Sequence, residues 1–206
     1  MAQLGFYFDN ARCSGCKTCQ LACKDYKDLE AGLMLRRVYL FEGGDWTPRE
    51  DGTWTTDAFA YHLSIACNHC DNPACFAACP TGAIAKDEAT GLVLIDADAC
   101  IGCDACITEC PYDAPVRDDA RDTVIKCDGC FDRVNAGENP ICVDSCPVRA
   151  LEFGDIADLR SRFGDVAQIP PLPAPTTSPN LVIKASPAVS SPAIASGFVA
   201  NGKELA

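Results

Sequence analysis

Basic residues are scarce in this chain: 17 Lys and Arg stand against 29 Asp and Glu, a formal net charge of −12 over 206 residues. So acidic a surface cannot displace counterions from a phosphate backbone, which excludes nucleic acid as a partner, and it cannot dock unaided on an anionic lipid surface. No run of about 18 uncharged apolar residues exists, so no direct membrane span is expected. The opening MAQLGFYFDN has neither a basic region nor an apolar stretch before a small-residue cleavage site, and Arg36-Arg37 is internal with no apolar run behind it. The expectation is synthesis in the cytoplasm without a leader. No G-x-G-x-x-G follows a strand, and no nucleophile elbow or H-E-x-x-H is present, so dinucleotide binding and these hydrolytic chemistries have no residues to carry them. Histidine is limited to His62 and His69.

Cysteine is what the chain has in excess, with sixteen residues in four groups of four. The groups are Cys13, Cys16, Cys19, Cys23; Cys67, Cys70, Cys75, Cys79; Cys100, Cys103, Cys106, Cys110; and Cys127, Cys130, Cys142, Cys146. None is left over. Where thiols stay reduced, such an array reads as metal or cluster ligation, not as a disulfide scaffold.

The third group, C-I-G-C-D-A-C-I-T-E-C-P, is the C-x2-C-x2-C-x3-C-P run of bacterial ferredoxins, in which three close thiolates hold one cluster and the fourth serves another. The fourth is expected to begin a helix. Gly102 suits a loop whose backbone must pass close to the cluster. The first group has the same spacing with Lys24 in place of Pro. The second and fourth keep the first pair, the last pair and the Pro (Pro80, Pro147) around longer loops. By this analogy four [4Fe–4S] clusters are expected. Cluster 1 takes Cys13, Cys16, Cys19 and Cys146; cluster 2 takes Cys67, Cys70, Cys75 and Cys110; cluster 3 takes Cys100, Cys103, Cys106 and Cys79; cluster 4 takes Cys127, Cys130, Cys142 and Cys23. Zinc ribbons also use C-x2-C pairs, but not a three-thiol run with a Pro-terminated fourth. A Rieske centre needs two His ligands, whereas His69 is a spacer between Cys67 and Cys70 and reads as a hydrogen-bonding or surface residue.

Between the groups, Leu4–Phe8, Leu35–Phe41 and Phe59–Ile65 read as strands, Ala83–Ala85 and Leu92–Ile95 as a hairpin around KDEATG, and Asp155–Phe163 as a helix. Trp46 and Trp54 are expected to pack within the longest insertion. From Pro170 onward the Pro-, Ser- and Ala-rich text suits an extended arm lying on something else, not a packed core. The expected fold class is α+β: two interleaved bacterial-ferredoxin-like modules, each with two [4Fe–4S] clusters, plus an extended C-terminal arm. The outer module comprises 1–30 with 114–165, an insertion covers 31–56, the inner module covers 57–113, and 166–206 form a partner-binding tail.

Cations are unevenly placed. Arg12, Lys17, Lys24 and Lys27 surround the first group and Lys126 and Arg133 the fourth, while Asp98, Asp104, Glu109 and Asp113 surround the third with no base. The cluster held by Cys100, Cys103 and Cys106 is therefore expected to have a lower potential than the one held by Cys13, Cys16 and Cys19. Lacking a site for bond chemistry, the chain is a conductor between partners and carries no catalytic residue.

The segments RCSGCKTCQLACKDYKDL (12–29), GGDW (43–46), AYHLSIACNHCDNPAC (60–75), CIGCDACITECPY (100–112), KCDGCFDRV (126–134), PICVDSCPVRAL (140–151) and SPNLVIK (178–184) resemble the iron–sulfur (beta, electron-transfer) subunit of the dimethyl sulfoxide reductase family of molybdenum oxidoreductases. The resemblance implies a heterotrimer. A molybdopterin-containing catalytic subunit reduces S- or N-oxides, a multispanning anchor subunit oxidises quinol, and this chain passes electrons between them. It further implies a peripheral position on the bacterial cytoplasmic membrane, on the periplasmic face if the chain is exported with a twin-arginine catalytic subunit. In some relatives a Trp replaces the second Cys of the third group and that centre is [3Fe–4S]; here the position is Cys103, which implies four cubanes. Asp104 stands where some relatives have a cation. The same role in a polysulfide, thiosulfate, selenate or formate enzyme, and a free-standing polyferredoxin, remain alternatives.

Overall fold

The structure is a computed structural model describing residues 2–205, so Met1 and Ala206, at the ends of the expected outer module and tail, lie outside the described residues. In chain order the elements are β1 (Leu4–Asp9), α1 (Thr18–Tyr26), β2 (Arg37–Gly43), β3 (Trp46–Pro48), β4 (Trp54–Thr56), β5 (Phe59–Ile65), α2 (Ala74–Ala78), β6 (Ile84–Lys86), β7 (Val93–Ile95), α3 (Ala105–Glu109), β8 (Val116–Asp118), β9 (Thr123–Ile125), α4 (Phe131–Asn135), α5 (Ile141–Asp144), β10 (Leu151–Asp155), α6 (Ile156–Phe163), β11 (Leu181–Lys184) and β12 (Phe198–Val199). This is an α+β chain of short elements.

β1 is the centre of a three-stranded sheet, antiparallel to β10 and parallel to β11. Side chains alternate across a strand, and both faces of β1 are covered. Phe6 and Phe8 enter the large core with Leu181 and Ile183. Tyr7 and Val182 face the other way, onto Ile156 and Leu159 of α6. The α6 N-terminus is capped by Asp155, whose carboxylate accepts from the amides of Ala157 (2.9 Å) and Asp158 (3.1 Å). A second sheet pairs β2 with β5 from Arg37↔Ile65 to Gly43↔Phe59, with β12 on its outer edge. Three hairpins, β3–β4, β6–β7 and β8–β9, complete the strands.

Two expectations are corrected here. Trp46 and Trp54 do not pack: they sit 64% and 59% exposed on the β3–β4 hairpin, a two-stranded ribbon. The C-terminal arm, in turn, does contribute to the core. Ile169, Leu172, Leu181, Val182 and Ile183 are all buried, and the arm adds β11 to the first sheet and β12 to the second. Its many prolines and serines form the connections, and the short apolar run LVI supplies the strand. These parts of the arm therefore pack on the rest of the chain.

Candidate functional site

Each cysteine group begins with a C-x2-C loop whose second intervening residue has a left-handed backbone: Gly15 (φ 70°), His69 (φ 44°), Gly102 (φ 61°) and Gly129 (φ 71°). Such a residue reverses the chain tightly enough to bring both thiols of the pair to one side. Gly15 has a second reason to lack a side chain, since a Cβ there would lie 2.2 Å from the His62 ring. A helix then carries the third cysteine: Cys19 on α1, Cys75 on α2, Cys106 on α3 and Cys142 on α5.

The fourth cysteine does not begin a helix, contrary to expectation. Cys79 and Cys110 end α2 and α3 in extended geometry, at ψ 111° and 114°. The cause is the following Pro80 and Pro111, whose rings disfavour a helical conformation in the residue before them. Group one has Lys24 instead, and there α1 runs on through Cys23 to Tyr26.

The structure brings the cysteines together across groups. Cys67, Cys70, Cys75 and Cys110 line one pocket. Cys79, Cys100, Cys103 and Cys106 line another. Cys13 faces Cys16, Cys19 and Cys146. Cys23 faces Cys130 and Cys142, and Cys127 faces Cys23. Among the described residues, no three His, Cys, Asp or Glu side chains converge on a point suited to a single metal ion. Thiols ringing a void fit a polynuclear cluster better than a zinc ion, whose four ligands must close to about 2.3 Å.

Burial dominates the electrostatics of these thiols. It pushes Cys13, Cys70 and Cys130 up to about 11 and Cys23 and Cys75 up to about 12. Cys16, at the surface, is held below the ordinary thiol value by the hydroxyl and amide of Thr18. The buried set gives up its protons to a metal far more readily than to water at neutral pH. Donors surround the sulfurs: Ser64 Oγ lies 3.3 Å from Cys19, Thr177 Oγ1 3.1 Å from Cys70, and the amides of Gly129 and Ala150 lie 3.4 Å and 3.3 Å from Cys127 and Cys146.

The sequence shows no base near the third group, and the structure corrects this. Arg117, on β8, donates to the carbonyl of Gly102 and pairs with Asp104 (3.7 Å) and Asp122. The hairpin β8–β9 folds it back over the loop, a return that local sequence does not show. Lys17 and Arg12 are engaged at the surface, with Glu204 and Asp9 respectively. Lys126 is buried, donating to the carbonyls of Val93 and Cys127. His69 is a hydrogen-bonding residue as expected but is wholly buried: its Nδ1 accepts from the amide of Val93 (3.0 Å), which leaves the proton on Nε2, an atom with no partner among the described residues. Arg36, which the sequence shows only as half of an Arg pair, is also buried, against the thiols of groups one and four.

Left-handed C-x2-C turns, helix-borne third cysteines and thiols gathered from paired groups define an iron–sulfur protein of the ferredoxin type. Residues 58–156 match the family model described as 4Fe-4S dicluster domain, and residues 10–27 match 4Fe-4S binding domain. The protein is similar to the B subunit of anaerobic dimethyl sulfoxide reductase from Haemophilus influenzae, 51% identical over 207 residues covering 100% of both sequences. It is likewise 51% identical to the subunit of that name in Escherichia coli, over 98% of each sequence. Thiosulfate reductase electron transfer subunit PhsB of Salmonella typhi is 36% identical across 71% of this protein and 72% of its own length. The protein belongs to the family of the anaerobic dimethyl sulfoxide reductase B subunit.

Proposed function

We propose that this protein is the electron-transfer subunit of a dimethyl sulfoxide reductase complex, passing electrons from a quinol-oxidising membrane anchor subunit to a molybdopterin catalytic subunit that reduces S- or N-oxides. Full-length identity of 51% to the dimethyl sulfoxide reductase B subunit carries this reading. Among the described residues, no helix is long and apolar enough to cross a membrane. A heterotrimer peripheral to the membrane, on its periplasmic face, extends the same reading.

Four [4Fe–4S] clusters, in the ligand sets given above, fit the sixteen thiols. Bound there, such clusters supply one-electron carriers. The packing of α1 against α5 and of α2 against α3 supports two modules of two sets each. Contacts between sets support a linear order. Set one meets set four where Cys19 faces Cys142, and set four meets set two where Cys127 faces Cys67. Cys75 of set two shares a core cluster with Cys106 of set three. Cys16 and Cys103 are exposed at the two ends of that order, whereas every cysteine of set four is buried. An insulated middle with two accessible ends is what a conductor between two partners requires.

The test is substrate-linked oxidation in anaerobic membranes. The iron–sulfur absorption bleached by a quinol should recover on addition of dimethyl sulfoxide. Recovery with thiosulfate or polysulfide alone would favour the reading suggested by the thiosulfate reductase relative, and isolation as a lone monomer would favour a free polyferredoxin.

A further inference from the structure

Arg36 is 2% exposed, and two of its three guanidinium nitrogens, Nε and Nη2, are buried without a hydrogen-bond partner among the described residues. The third, Nη1, donates to Ser64 Oγ at 3.1 Å. The ring of Phe6 covers the guanidinium, with 4.8 Å from Cζ to the ring centre. A cation so placed needs a counter-charge, because desolvating an unpaired guanidinium is prohibitive. Its strongest charge partners are the sulfurs of Cys142, Cys19, Cys127 and Cys23. Ligated to metal as thiolates, these sulfurs would supply that counter-charge.

We propose that Arg36 is a positioning residue that raises the reduction potentials of the two centres held by Cys13, Cys16, Cys19, Cys146 and by Cys23, Cys127, Cys130, Cys142. The inference rests on the cluster assignment above. Cys19 belongs to the first set and Cys23, Cys127 and Cys142 to the other, so one fixed positive charge faces both. Adding an electron to either centre adds negative charge beside a cation that water does not screen, and this favours the reduced form. A second effect runs through Ser64. With its oxygen accepting from Arg36, its hydroxyl proton is free for the sulfur of Cys19, 3.3 Å away. Arg36 thereby fixes the direction of a hydrogen bond to a ligand sulfur.

The test compares Arg36→Gln and Arg36→Lys in the anaerobically isolated native assembly, by iron and sulfide content and by potentiometric titration followed with electron paramagnetic resonance. In Arg36→Gln two of the four midpoint potentials should fall while two stay in place, with iron content unchanged. Arg36→Lys should restore most of the lost potential. Iron loss from Arg36→Gln that Arg36→Lys prevents would show that Arg36 retains the clusters and does not tune them, and would overturn the proposal. Unchanged potentials in Arg36→Gln, a uniform shift of all four, equal shifts in both variants, or iron loss from Arg36→Lys would overturn it. Iron and sulfide content of the unsubstituted protein tests the cluster assignment separately.

Discussion

The hydroxyl of Thr177 lies 3.1 Å from the sulfur of Cys70, although 107 positions separate them in sequence. Around this contact the arm grips the second cysteine loop. Ser178 and Thr177 accept from the amides of Asp71 and Asn72 through their carbonyls, and Asn180 donates to the carbonyl of His69 at 2.7 Å. A segment with the composition of a linker thus reaches a cysteine of the second group. Thr177→Val keeps the shape and removes the donor. Loss of one hydrogen bond to a thiolate, about 1.4 kcal/mol, corresponds to a fall of about 60 mV for one electron. One midpoint potential should fall by that order with iron content unchanged, as read by potentiometric titration.

His69 occupies a left-handed position that Gly fills in the other three loops. At an ordinary position Gly is less stable than Ala. Here the order should reverse. His69→Gly and His69→Ala both lose the buried ring, but only Ala keeps a Cβ in the strained conformation. The Gly variant should therefore be the more stable by about 1 kcal/mol. Anaerobic chemical denaturation of the two variants measures the difference.

Tyr7 is buried between the first sheet and α6, stacked on Phe163 at 3.8 Å, with its hydroxyl 3.3 Å from the carboxylate of Asp9. Burial, followed by the charge of Asp9, pushes the phenol up to about 12. Above about pH 10 the unfolded state releases this proton and the folded state does not, so the stability it contributes is intact below that pH and is lost as pH rises towards 12. The thermal midpoint of Tyr7→Phe should decline less than that of the parent between about pH 10 and pH 12. Part of the slope remains in the variant because Tyr61 is also raised to about 12 by burial.

Exposure differs between the cysteine sets. Cys16 and Cys103 are open to solvent, while Cys23, Cys127, Cys130 and Cys142 are all buried. Removal of iron by ferricyanide with a chelator should proceed in two phases, the fast one taking the centres that include Cys16 and Cys103. A single phase in the isolated subunit would show that burial does not protect the inner sets.

Much of this was legible in the sequence because it is local. The alternation in LGFYFD, the turn-rich KDEATG between two apolar runs, and the apolar spacing of Ile156, Leu159 and Phe163 gave β1, the β6–β7 hairpin and α6 with small boundary shifts. β10 was hidden because LEFGD has too little apolar alternation to declare itself and forms by pairing with β1. β11 was hidden inside a Pro-rich arm. The cysteine loops were readable as motifs. The charges around them were not, because Arg36 and Arg117 arrive from other parts of the sequence. Arg117 stands beside the acidic third group but is shared among Asp104, Asp119 and Asp122, so the lower potential expected for its centre is still the order a potentiometric titration should give.

All sixteen thiols are predicted to ligate iron in four [4Fe–4S] centres. Chemical assay of iron and acid-labile sulfide on anaerobically isolated protein tests it most directly. About sixteen of each per polypeptide is the predicted result. Values near twelve of each, or zinc in place of iron with no labile sulfide, would contradict it.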